Sequence, residues 1–471
     1  MFKKNLQALK DSGPLQSFSR FEIFQKQRQK TQSKLRLAFF CNGVVVVVSA
    51  GLYLTLASHN NRTQMTTVGQ TANGQAMALT TDARNAIVLD AQTGQILGQK
   101  GADQQIGVAS QSKMLTAYAI LQGIKNKKYT WDSMVEITPQ SDWSKKDNNT
   151  FAHLEITAGE KLPVKELFAA MFTSSANDAA FALADFAKNP QESQQAALTR
   201  WAKALKLTGS KWYNAAGQVN SDAGAYQVAN VDPNAENTAS VRQLAVLAYQ
   251  DLAGDSDLKT YYQKQGLVYH PSESVNKIKL TEGAKFDQEV KGKLTNPKNL
   301  TFEGLKTGST PASGGALTSL IKDQNGHEYI AVVSGAGNYT DQVRRYQDSV
   351  DVVNEVLDHF QSVTFKSQSQ PAGAKKVKNS NLVGGQQKLV IAEDRTYWVA
   401  KGQKSLGYQW PKRLKDKVYQ QGQVVKTVSP RLKAQYLDLV PTKNHQLTLI
   451  NQGQAKVGRW WQKAYHWLMF W

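Results

Sequence analysis

Apolar positions along this chain fall into several regimes, and each limits what its segment can become. Residues 37–57 form a run of 21 residues without a charged side chain, long enough to cross a bilayer as a helix. Residues 58–81 are then polar, rich in Gln, Thr, Asn and Gly, and read as a spacer with too little apolar surface to fold alone. From residue 82 the pattern turns globular. Residues 85–90 and 95–100 flank the turn Gln92-Thr93-Gly94 and predict a hairpin. Met114, Leu115, Tyr118 and Leu121 recur at helical spacing, as do Val164, Leu167, Phe168, Met171 and Phe172 in a helix over 163–172. That helix stops at Thr173-Ser174-Ser175, and another resumes near Asp178 through Phe181, Leu183, Ala184 and Phe186. Ser175 and Asn177 are thereby placed in an interhelical turn.

A helix follows over 240–252, then an irregular stretch over 269–299 that leads into an edge strand around 305–309. Residues 314–322 and 327–334, joined at Asn325-Gly326, predict a second hairpin. An amphipathic helix over 343–360 closes a unit spanning 82–362. Residues 363–387 read as a linker of Ser, Gln, Gly and Lys. Over 388–452 the short runs KLVIA, TYWVA, KVY, VVKTV and QLTLI predict a small β-rich domain. The last segment, 453–471, sets Val457, Trp460, Trp461, Ala464, Leu468 and Trp471 on one helical face and Lys456, Arg459, Lys463 and His466 on the other. Tryptophans with basic partners suit a helix lying in a membrane interface.

Charge sharpens this picture. The net charge of +20 sits at the two ends: residues 1–36 carry nine Lys/Arg against two acids, and 365–471 carry nineteen against four. Basic ends around a neutral centre point to an anionic membrane surface as partner and away from nucleic acid, whose reader would carry its positive patch on the folded domain. A basic leader ahead of an apolar run places the N-terminus in the cytoplasm and all later residues at the extracytoplasmic face of the cell membrane. Residues 37–57 fit either a retained transmembrane segment or a cleaved signal sequence. The single cysteine, Cys41, excludes an intrachain disulfide, and the seven histidines show no ligand spacing, so neither a metal nor a cofactor is expected.

The chemistry begins at Gly107-Val108-Ala109-Ser110-Gln111-Ser112-Lys113. On a helix, residues three apart share a face, so the Lys113 amine can reach the Ser110 hydroxyl. The same spacing recurs at Ser256/Lys259, Ser274/Lys277 and Ser319/Lys322, so the pair alone decides nothing. Two later elements do: Ser175-Ala176-Asn177 and Lys306-Thr307-Gly308. The order S-x-x-K, S-x-N, K-T-G resembles the penicillin-recognising serine enzymes. The flanks SSANDAAFALA and EGLKTGST are similar to the low-molecular-mass penicillin-binding proteins, serine-type D-alanyl-D-alanine carboxypeptidases.

That resemblance, over about 82–360, implies a mixed α/β fold, the penicillin-binding/β-lactamase-like transpeptidase fold with an antiparallel sheet flanked by helices and a helical subdomain. It implies Ser110 as nucleophile, Lys113 as its base and Ser175 as proton relay. Asn177, Lys306, Thr307, Gly308 and Ser309 would bind substrate, with the N–H groups of Ser110 and Ser309 as oxyanion hole and Arg344 or Arg345 at the outer cleft. The implied partners are a peptidoglycan stem peptide ending in D-Ala-D-Ala and β-lactam antibiotics. Three positions depart from the family pattern: Ser112 and Glu303 replace the commoner Thr and Asp, and Asn214-Ala215-Ala216-Gly217 lacks a usual proline. A β-lactamase would need a second base in an E-x-x-L-N stretch, which the chain does not contain. A non-catalytic cell-envelope scaffold is the remaining alternative.

Overall fold

The computed structural model describes residues 64–68, 70–272, 275–370, 377–403, 406–414 and 417–469. The basic leader 1–36 and the apolar run 37–57 lie outside these residues. Among the described residues no helix is long and apolar enough to cross a membrane.

Five strands organise the unit: β1 (Asn85–Asp90), β2 (Gln95–Lys100), β3 (Thr301–Thr310), β4 (Gly314–Lys322) and β5 (Glu328–Ser334). They lie in the order β3-β4-β5-β1-β2, each antiparallel to its neighbour. Strand β1 is buried along its whole length, which is why NAIVLD shows a near-continuous apolar run instead of alternation. One face carries a layer of helices: α1 (Lys113–Lys125), α2 (Val164–Thr173), α3 (Asn177–Ala187), α4 (Gln194–Ala204) and α5 (Val241–Gly254). These share one core with Ile87, Leu89, Leu305, Leu320 and Ile330 of the sheet. Helix α1 lies innermost, with Met114, Leu115, Ala117 and Ile120 fully buried, so its apolar positions run nearly all round. Ser240 starts α5 with a reciprocal capping box to Gln243, worth about 1 kcal/mol. On the opposite face α6 (Arg344–His359) packs Tyr346, Val350, Val353 and Val356 against Val88, Leu317, Ala331 and Val333.

Four expectations from the sequence are corrected. The spacer 58–81 is structured from residue 64: Gln64–Val68 pairs with Gly407–Arg413, Ala72–Gly74 with Pro430–Tyr436 and Met77–Ala78 with β2. The 363–387 linker also contributes ladder, because Phe360–Phe365 pairs with Arg395–Ala400 and Val377–Lys378 with Gln386–Gln387. Both segments are held through backbone hydrogen bonds, which side-chain composition does not report. Within 269–299, Gly266–Ser272 and Val275–Leu280 form a hairpin followed by a short helix, Glu282–Lys285. In the β-rich region KVY is not a strand, whereas Gly407–Arg413 and Pro430–Tyr436 are.

This β-rich region has its own core of Leu389, Ile391, Tyr397, Val399, Tyr408, Trp410 and Leu449. It also continues the central sheet, with Gln435 and Tyr436 opposite Ile96 and Gln95 of β2. Trp398 Nε1 donates to buried Asp90 at 2.9 Å, and the Gln95 amide bonds both the carbonyl and the N–H of Trp398, at 2.8 and 3.1 Å. Helix α7 (Trp460–Met469) docks through Trp467, which is buried, while Trp460 is 80% exposed and Trp461 and Leu468 also face outward.

Candidate active site

The chain enters α1 through one turn of tighter helix, Ala109–Ser112. Such a turn eclipses residues three apart, so Ser110 and Lys113 meet even more directly than α-helical spacing requires. Lys113 Nζ donates to Ser110 Oγ at 2.9 Å, to Asn177 Oδ1 at 2.8 Å and to the Ala216 carbonyl at 2.9 Å. Three donors meet three acceptors, so the ammonium is fully matched. Burial, reinforced by the like charge of Lys306, nonetheless holds Lys113 well below the ordinary lysine range, with Asp178 and Glu282 pulling the other way. A hydroxyl thus lies in contact with an amine that gives up its proton readily.

The surroundings fix this pair. Asn214 Oδ1 accepts from the N–H groups of Gly217 and Gln218, at 2.9 and 3.1 Å, and so aims the Ala216 carbonyl at Lys113. Asn237 Nδ2 ties that turn to α1 by donating to the Asn214 carbonyl and to Ser112 Oγ, at 2.7 and 2.9 Å. Gly217 has a φ of +77°, and a Cβ there would stand 1.8 Å from the Ala109 carbonyl oxygen, so no other residue fits. Gln111 Nε2 anchors the turn to the sheet through Thr318 Oγ1 at 2.8 Å.

Ser175 lies between α2 and α3 in the left-handed region, φ +56°, and Asn177 opens α3 with its N–H bonded to the Ala152 carbonyl at 2.8 Å. Asp178 accepts from the N–H of Leu154 at 2.7 Å and of Ala179 at 2.8 Å; burial pushes its carboxyl up to about 6.

Strand β3 is the edge strand of the sheet and brings Lys306-Thr307-Gly308 beside the turn Ala109–Ser112. Gly308 permits this approach, since a Cβ there would come within 2.9 Å of the Val108 carbonyl. Burial brings Lys306 down to about 8; Glu282 opposes this, while Arg345 and Lys285 add to it. Arg345 Nη1 donates to Ser309 Oγ at 2.7 Å, whereas Arg344 pairs with Asp82 at 2.6 Å and Asp348 at 2.9 Å. The geometry therefore selects Arg345 as the cleft arginine. A cleft of about 500 Å³ opens over Ser110, Ser175, Thr307, Gly308 and Ser309. Lys113, Asn177 and Lys306 are buried behind them.

Sequence reasoning did not single out the Ala216 carbonyl, Gln111 or Glu282. The first had a signal, the Asn214-to-Gly217 spacing; Glu282 lies in the stretch read as irregular and had none. Among the described residues no group of His, Cys, Asp or Glu could hold a metal ion.

Residues 70–338, more than half of the chain, match the family described as D-alanyl-D-alanine carboxypeptidase. The chain belongs to this family. It is 23% identical over 322 residues to D-alanyl-D-alanine carboxypeptidase DacD of Salmonella typhimurium, covering 68% of this chain and 73% of that protein. It is 27% identical over 285 residues to DacC of Escherichia coli, covering 60% and 63%. The carboxypeptidase fold is also found in solved structures. A peptidoglycan synthesis regulatory factor (PBP3) from Streptococcus pneumoniae superposes with a TM-score of 0.65 at 20% identity, over 80% of this chain and all of that one. Penicillin binding protein 5 from Haemophilus influenzae gives 0.55 at 18% identity, over 81% and 99%.

Proposed function

We propose that this chain is a serine DD-carboxypeptidase that removes the terminal D-alanine from peptidoglycan stem pentapeptides at the outer face of the cell membrane. The observation that carries this reading is the 2.9 Å contact between Lys113 Nζ and Ser110 Oγ, with the amine buried and the serine lining an open cleft. Once Lys113 has given up a proton, its bond to Ser110 reverses and Ser110 Oγ donates to the amine. Ser110 Oγ attacks the carbonyl carbon of the penultimate D-alanine as its proton passes to Lys113. The N–H groups of Ser110 and Ser309 receive the oxyanion, a contribution of about 3 kcal/mol. Ser175 relays a proton to the leaving nitrogen, free D-alanine departs, and water hydrolyses the ester to restore Ser110.

Lys306 and Thr307 hold the substrate's terminal carboxylate, with Arg345 orienting Ser309 at the cleft edge. Asn177 positions Lys113 and the substrate amide. A β-lactam offers the same carbonyl in a strained ring and acylates Ser110 in the same way. The apolar run 37–57 and the exposed tryptophans of α7 support attachment to the membrane.

The test is release of free D-alanine from a pentapeptide, with labelling by a fluorescent penicillin in parallel. Wild-type protein is expected to do both and Ser110→Ala neither. Labelling of Ser110→Ala, or a wild type that releases no D-alanine, would overturn the reading.

A further inference from the structure

The short helix Glu282–Lys285 was not expected from the sequence, yet it reaches the carboxylate clamp. Glu282 and Thr307 both line the cleft that opens over Ser110. Glu282 Oε2 stands 3.5 Å from Thr307 Oγ1, at the hydroxyl assigned above to the substrate's carboxylate. Its other oxygen pairs with Lys285 at 3.3 Å, an exposed partner one turn along. Such a contact is worth little and releases easily.

Glu289 also lines this cleft, but Glu282 is the carboxylate that reaches the clamp threonine. Among the described residues the Lys306 ammonium reaches the Thr307 carbonyl at 3.3 Å and its hydroxyl at 3.4 Å, and Arg345 adds a second cation beside Ser309. Glu282 is in contact with the clamp threonine, and its charge acts on the Lys306 ammonium behind it.

We propose that Glu282 is a specificity-determining residue: a resident counter-ion of the Lys306–Thr307 clamp, which a substrate ending in a carboxylate must displace to bind. This rests on the carboxypeptidase reading above and deepens it. A carboxylate arriving at Thr307 meets Glu282 as a like charge at close range, and such juxtaposition is costly. Glu282 therefore swings away from Thr307 towards Lys285 as substrate enters. The penalty falls on binding and not on the chemical step, so KM carries it and kcat does not. A ligand whose C-terminus is an amide brings no charge and pays no such penalty.

Glu282→Gln keeps the side chain's shape and an acceptor oxygen for Thr307 while removing the charge. KM is measured for a peptide ending in D-Ala-D-Ala and for the same peptide ending in D-alaninamide, with Ki as a competitor used for the amide if it is not turned over. The acid-ended peptide is assayed at about pH 6, so that Lys306 keeps its proton without the support of Glu282. Its KM is expected to fall about tenfold, equivalent to ~1.4 kcal/mol, with kcat within about twofold. The amide-ended peptide is expected to be unaffected. Glu282→Asp, which keeps the charge but draws it back by one methylene, should lie between wild type and Glu282→Gln. An unchanged or raised KM for the acid-ended peptide overturns the inference. Equal shifts for both peptides also overturn it, since a loss of structure would move them together. D-alanine release by wild type reports on the catalytic reading independently: release with no selective KM change defeats only the role of Glu282, and no release defeats both.

Discussion

Gly217→Ala isolates the contact that sets the position of the nucleophile. At φ +77° an alanine carries the left-handed penalty of about 1–2 kcal/mol. Its Cβ would also stand 1.8 Å from the Ala109 carbonyl oxygen, where ordinary contact starts at 3.4 Å, so that carbonyl must retreat by roughly 1.6 Å. Ala109 precedes Ser110 directly and moves it in turn. Misplacement of a reacting group by ~1 Å can cost about 100-fold in rate. The expected result is an acylation rate by fluorescent penicillin at least ~100-fold below wild type. Gly326→Ala is the control: its φ is similar, +84°, but nothing lies within 4 Å of the added Cβ. It should lower Tm by about 2–8 °C, the dihedral cost alone, and leave acylation intact. Acylation by Gly217→Ala within a few-fold of wild type would refute the argument, as would an equal loss in Gly326→Ala.

Two further outcomes follow from charge and exposure. Burial sets Lys306 at about 8, so its ammonium is present below that pH and lost above it; KM for an acid-ended peptide should rise as pH passes 8 while that for an amide-ended peptide stays level, and a flat acid-ended profile from about pH 7 to 9.5 would contradict this. In a chain starting at residue 58, replacing both Trp460 and Trp461 with Ser should weaken binding to phosphatidylglycerol vesicles about tenfold or more, and unchanged sedimentation would count against α7 as an attachment helix.

The parts of this site that were legible in the sequence are those where a short motif carries its own geometry. Ser110 and Lys113 meet because one turn of helix brings residues three apart together. Ser175 and Asn177 announce their turn because an apolar periodicity stops and restarts around them. The segment of Lys306, Thr307 and Gly308 shows itself by a K-T-G triplet that occurs once in the chain. What was hidden depends on contacts made far along the chain. The Ala216 carbonyl is a backbone atom, aimed by Asn214 and Asn237, and no side-chain pattern reports it. The choice of Arg345 over its neighbour depends on which face of α6 meets β3. Gln64–Val68 and Ala72–Gly74 look like spacer because their partners, Gly407–Arg413 and Pro430–Tyr436, lie more than three hundred residues away.

Strand β2 shows what such distant pairing entails. Along its outer rim Gln95 and Ile96 are taken by Tyr436 and Gln435 from the C-terminal region, and Gly98 and Gln99 by Met77 and Ala78 from the N-terminal approach. Both extremities of the described chain are thus woven into one fabric with the layer that carries the chemistry. A protease cut between α6 and the last strands would leave the pieces interlocked, and melting should show a single cooperative transition in place of a module peeling away first.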